Sequence, residues 1–78
     1  MFYVYILQLR DESFYIGYSS DLKLRILEHK RGNVDSTKNL RPIKLIYYSA
    51  FATQKKATDF EKYLKSSSGF TFRNKRLI

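Results

Sequence analysis

Apolar and aromatic side chains fill residues 2–9 and 13–18, and a β-branched, aromatic run, "IKLIYYSAF", returns at 43–51. Runs of this composition fit a pleated, half-buried surface and read as strands. Only Arg10, Asp11 and Glu12 separate the first two, so an antiparallel hairpin is the short connection. Strand parity sorts the side chains. Val4 and Ile6 share one face with Phe14 and Ile16, while Tyr3, Tyr5 and Leu7 point the other way with Tyr15 and Gly17. A loop centred on Asp11 sets Leu7 opposite Tyr15 and Tyr5 opposite Gly17, which makes Tyr5 and Tyr15 diagonal neighbours. A slip of one residue would put them on opposite faces.

The segment "SDLKLRILEHKRGN" predicts a helix capped by Ser20 or Asp21 and ended by Gly32. Leu22 and Ile26 mark its apolar stripe, and Arg25 and His29, four apart, share a second stripe beside it. "VDSTKNLRP" reads as a loop. Thr53 caps a second helix running to about Lys65, whose apolar arc is Ala57, Phe60, Tyr63 and Leu64, with Glu61 at the edge of that arc. "KSSSG", residues 65–69, reads as a loop, and "FTFRNKRLI" as a short last helix or irregular basic tail. The order is β-β-α-β-α with a short C-terminal helix: an α+β fold, a three-stranded antiparallel sheet flanked by helices, in one domain over residues 1–78.

Length and charge narrow the function. A chain of 78 residues has a thin core. It carries no cysteine, so neither a disulfide framework nor a thiolate metal site is available, and a reducing cytoplasm is the expected location. The first apolar run is broken by Gln8 and Arg10 and reads as neither a signal peptide nor a membrane span. Fifteen Lys and Arg against seven Asp and Glu give a net charge of +8, which favours a polyanionic partner, nucleic acid before a membrane surface. Along the last third, Lys62, Lys65, Arg73, Lys75 and Arg76, with Ser66–Ser68 and Gly69, can track a nucleic-acid backbone.

An ordered set of residues adds a family. "YVY" at Tyr3–Tyr5, "YIG" at Tyr15–Gly17, Arg25 in the first helix and Glu61 in "FEKYLKS" together resemble the GIY-YIG nucleases, over nearly the whole chain. The resemblance is to short single-domain bacterial members, which are similar to the N-terminal nuclease module of the excision-repair endonuclease subunit. It implies hydrolysis of DNA phosphodiester bonds with one divalent metal, Mg²⁺ or Mn²⁺. By position, it makes Tyr5, Tyr15, Arg25, His29 and Glu61 the catalytic set and Glu61 the metal ligand. Two departures are visible: Tyr3 and Val4 stand where the first motif has glycine and isoleucine, and Tyr18, grouped here with the nucleic-acid-binding residues, stands where some members have lysine.

The residue types suit the chemistry. Mg²⁺ is often held by one or two carboxylates plus phosphate and water, so a single glutamate suffices. A guanidinium fork fits a phosphate and stabilises transition-state charge. Tyr15 either acts as general base, if a nearby cation favours its phenolate, or only orients the water. His29 can hydrogen-bond a phosphate or aid proton transfer. The alternatives are a nucleic-acid-binding module with weak or no catalysis, and an interaction domain whose charge only keeps it in solution. With no second domain to read sequence, specificity is expected from DNA shape, a partner protein or a homodimer.

Overall fold

The computed structural model describes residues 1–77; Ile78, the last residue of the basic tail, lies outside the described residues. Three strands, β1 (Phe2–Gln8), β2 (Phe14–Ser19) and β3 (Lys44–Phe51), form one antiparallel sheet in the order β2-β1-β3. Three helices follow the strands as expected: α1 (Leu22–Arg31), α2 (Gln54–Lys65) and α3 (Ser67–Arg76). The hairpin register is the one the loop length requires, with Leu7 opposite Tyr15 and Tyr5 opposite Gly17. Asp11 Oδ1 accepts the Ser13 backbone N–H at 3.0 Å and fixes the turn.

The central strand is covered on both faces, and Val4, Tyr5, Ile6 and Leu7 are all fully buried. Parity divides this burial into two cores. Val4, Ile6 and Ile16 meet Ala57 and Leu64 of α2 on one face. Tyr5, Leu7 and Leu9 lie on the other, against Leu22 and Ile26 of α1 and Leu40, Ile43 and Leu45. β1 and β3 carry a register irregularity between Ile6 and Leu7, where β3 has one residue more than its partner. Among the described residues no helix is long and apolar enough to cross a membrane.

Local chemistry sets the helix ends. Asp21 Oδ1 accepts the Leu24 N–H at 3.1 Å, and Thr53 Oγ1 accepts that of Lys56 at 3.2 Å. Gly32 closes α1 in the left-handed region, at φ 80°. The "KSSSG" expectation needs correcting, because α3 begins at Ser67 and only Ser66 separates it from α2. The Ser66 hydroxyl accepts the Gly69 N–H at 3.1 Å and caps the new helix. Gly69 makes the abrupt bend possible: a Cβ there would clash with the Tyr63 carbonyl and lie 2.8 Å from Leu64 Cα. Gly69→Ala is therefore expected to lower stability by about 1–3 kcal/mol in chemical unfolding. Ser68→Ala, at a neighbouring exposed site, should stay within about 0.5 kcal/mol. Equal midpoints for the two variants would show that α3 does not depend on this close approach.

Candidate active site

The site is built around a glycine in an edge strand. Gly17 faces Tyr5 across the hairpin, and a Cβ at position 17 would collide with the Tyr5 hydroxyl and lie 2.9 Å from its Cε2. Without that atom, the Tyr5 ring lies directly over β2. Its hydroxyl oxygen is 2.9 Å from His29 Nε2, and His29 Nδ1 is 2.8 Å from Thr37 Oγ1. All three side chains are fully buried. The loop after α1 supplies Thr37 and folds back over the helix, anchored by buried Val34 and by the Thr37 N–H, which donates to the Val34 carbonyl at 3.1 Å.

Tyr15 joins this chain from its open side. It is half-buried, with its ring 6.4 Å from Tyr5 and edge-on to His29 at 5.1 Å. Arg25 stands one turn before His29 on α1. It lies near enough to Tyr5 to act on its ionisation both as a hydrogen-bond donor and as a charge. Its guanidinium is also held by Glu28, at 3.7 Å. Glu61 approaches from α2, on the opposite face of the sheet, and its charge also bears on Tyr5. The Glu61 side chain is 20% exposed and pairs with Lys65 at 3.1 Å. The two helices thus pack on opposite faces of the sheet.

Burial dominates the electrostatics. It pushes the Tyr5 phenol up to about 12, against the opposing influence of Arg25, so Tyr5 stays protonated at neutral pH. Burial, then the charge of Arg25, hold the His29 imidazole below its ordinary range, with Glu28 opposing. A protonated phenol beside a purely donating guanidinium directs its O–H to His29 Nε2, which leaves Nδ1–H to donate to Thr37. This network assigns the Nδ1–H tautomer of a neutral histidine.

Sequence reasoning names five catalytic candidates. Four of them, Tyr5, Tyr15, Arg25 and His29, form this cluster, and Glu61 lies on α2, near enough for its charge to bear on Tyr5. His29 follows Arg25 by one turn, as expected, but it is fully buried, and both ring nitrogens are engaged inside the protein rather than presented to a phosphate. Thr37 was missed because it sits in a polar loop whose path is set by tertiary contacts. Gly17 carried a legible signal, a glycine inside a strand opposite an aromatic residue. Tyr18 packs toward the α2 face, stacked on Phe2 with centroids 6.3 Å apart. Lys62, Lys65, Lys75 and Arg76 are exposed. Arg73 differs from the surface cation expected, at only 8% exposure, because its guanidinium lies over aromatic rings.

The family model described as the GIY-YIG catalytic domain matches residues 1–76. The chain belongs to the GIY-YIG nuclease family. This GIY-YIG chain is 41% identical over 64 residues to a UPF0213 protein of Streptococcus pneumoniae serotype 4, covering 81% of itself and 65% of that protein. It is 39% identical over 66 residues to a UPF0213 protein of Clostridium perfringens, covering 83% and 71%. It therefore spans slightly less than two thirds of the first of these relatives. The solution NMR structure of a UPF0213 protein from Bacillus halodurans has the same fold, with TM-score 0.60, 30% identity, and coverage of 99% of this chain and 87% of that one.

The buried histidine makes stability depend on pH. Its folded pKa lies below the unfolded one, so the unfolded state binds more protons as pH falls. His29 thus favours folding above the ordinary imidazole range, and that contribution is lost on acidification. Melting temperatures measured from about pH 7.5 to 5.5 should fall in the wild type and fall less steeply in His29→Gln. Parallel slopes would contradict a buried neutral His29.

Proposed function

We propose that the protein is a divalent-metal-dependent endonuclease that hydrolyses DNA phosphodiester bonds, selects substrates by structure, and acts in repair or recombination in the cytoplasm. The observation that carries this reading is the cluster of Tyr5, Tyr15, Arg25 and His29, with Glu61 on α2 near enough for its charge to bear on Tyr5. The family supplies nucleic acid as the substrate class, and the net charge of +8 suits it.

The donor set fits a hard cation. Among the described residues no group of three or more His, Cys, Asp or Glu side chains is placed to hold a metal. Glu61 would act as the single protein ligand, leaving other positions for phosphate and water, as Mg²⁺ commonly accepts. When bound, Mg²⁺ or Mn²⁺ would supply charge relief at the phosphate. Lys65, 3.1 Å from the Glu61 carboxylate, balances its charge in the free protein.

The remaining roles follow from burial and position. Arg25 offers its donors to the non-bridging oxygens of the phosphate. Tyr15, half-buried, directs its hydroxyl at the attacking water, as base or as orienting group. Tyr5 is too firmly protonated to be a base at neutral pH. It positions the site: its hydroxyl holds His29, and its ring packs beside Tyr15. A binding module without cleavage is the second reading. The packing of Tyr18 into the α2 face favours it, since no cation stands where some members have lysine.

Nicked, flapped and branched DNA incubated with Mg²⁺ or Mn²⁺ separates these readings. The wild type should cleave at least one substrate, Arg25→Ala about 10²-fold more slowly, and Glu61→Ala and Tyr15→Phe at or near background. Cleavage undiminished in Glu61→Ala would refute the endonuclease reading. Salt-sensitive binding without cleavage by any form would establish the binding module.

A further inference from the structure

Beside Tyr15 runs a groove of about 350 Å³ between β2 and the α2–α3 corner, and its walls include Phe14, Lys65, Phe70 and Arg73. Arg73 is its unusual member. It is 8% exposed, with its guanidinium carbon 4.6 Å from the centre of the Phe70 ring and 5.6 Å from that of Phe14. Among the described residues no carboxylate pairs with it, and its one hydrogen bond is long, from Nε to Asn74 Oδ1 at 3.4 Å. Because no buried side-chain nitrogen among the described residues lacks a partner, the remaining donors of this guanidinium open to solvent at the groove, where an anion can reach them. Packing alone would be served by an apolar side chain of similar volume.

The other walls point to the nature of that anion. Phe70 is 53% exposed, so Arg73 covers part of its ring and leaves the rest to solvent. Lys65 is exposed beside the same groove and reaches Glu61 at the candidate site. Two cations and an open aromatic face, with no acidic side chain on the groove wall, match a phosphate joined to an unstacked base. A base inside a duplex keeps its faces covered by its neighbours and cannot stack on Phe70.

We propose that this groove holds an unpaired nucleotide flanking the phosphodiester addressed by Tyr15 and Glu61, with its base on Phe70 and its phosphate on Arg73 and Lys65. The proposal rests on the endonuclease reading for the place of the cut. It adds that the substrate is single-stranded on the groove side, as in a flap or an overhang.

Fluorescence anisotropy in EDTA tests it with three labelled DNAs: a blunt duplex, the same duplex with a short overhang, and that overhang duplex carrying an abasic first unpaired position. The wild type should prefer the overhang, and the abasic form should lose most of the preference. Phe70→Ala should weaken overhang binding about tenfold and leave blunt-duplex binding within about twofold. Arg73→Met, checked for folding by circular dichroism, should reduce the slope of log affinity against log salt by about one on the overhang DNA. Phe70→Ala does not depend on Arg73→Met folding, because Phe70 is half exposed. Wild-type overhang affinity in Phe70→Ala, or equal losses on blunt and overhang DNA, would overturn the proposal. If Glu61-dependent cleavage persists alongside either result, only the nucleotide groove is refuted. A wild type that binds none of the DNAs overturns both readings.

Discussion

The close approach of Tyr5 to Gly17 sets the geometry of the whole site. Any side chain at position 17 would push the Tyr5 ring off the edge strand, because even a Cβ would overlap the hydroxyl. The Tyr5–His29–Thr37 chain would then have no first member. With Tyr5 in place, α1 is tied to the sheet through a buried hydrogen bond as well as through Leu22 and Ile26. That tie orients α1 so that Arg25, one turn before His29, faces the hydroxyl pair of Tyr5 and Tyr15. Partly satisfied buried polar chains are costly, whereas satisfied ones hold a single arrangement. Among the described residues no buried side-chain nitrogen or oxygen lacks a partner.

The same constraint gives different surroundings to two tyrosines that look alike in the sequence. Tyr5 is fully buried, and its hydroxyl is bonded inward to His29. Tyr15 lies diagonal to it and half-open, where a hydroxyl can meet substrate. Glu61 comes from the other core and shares no packing layer with the tyrosines.

What was legible in the sequence was local. The hairpin register followed from a short loop, Asp21, Gly32 and Thr53 ended their helices as their side chains or φ preferences dictate, and strand parity put Tyr5 and Tyr15 on one face. The illegible parts depended on contacts distant in the chain. Gly69 lets α3 start against the end of α2, so a serine-rich stretch that reads as loop becomes a helix start. His29 is buried because the loop carrying Thr37 closes over it, and no pattern within α1 announces that. Arg73 lies in a polar, basic stretch, and its burial comes from Phe14 on a distant strand and Phe70 one turn earlier.

A buried, neutral His29 links Tyr5 to Thr37 and thereby ties α1 to the sheet. Long-range ¹H–¹⁵N correlation of the His29 ring near neutral pH tests it most directly, because it reports which nitrogen carries the proton. The wild type should show one neutral tautomer, protonated at Nδ1 and bare at Nε2, and Thr37→Val should lose that fixed state. An averaged or doubly protonated ring in the wild type, or a proton on Nε2, would contradict it.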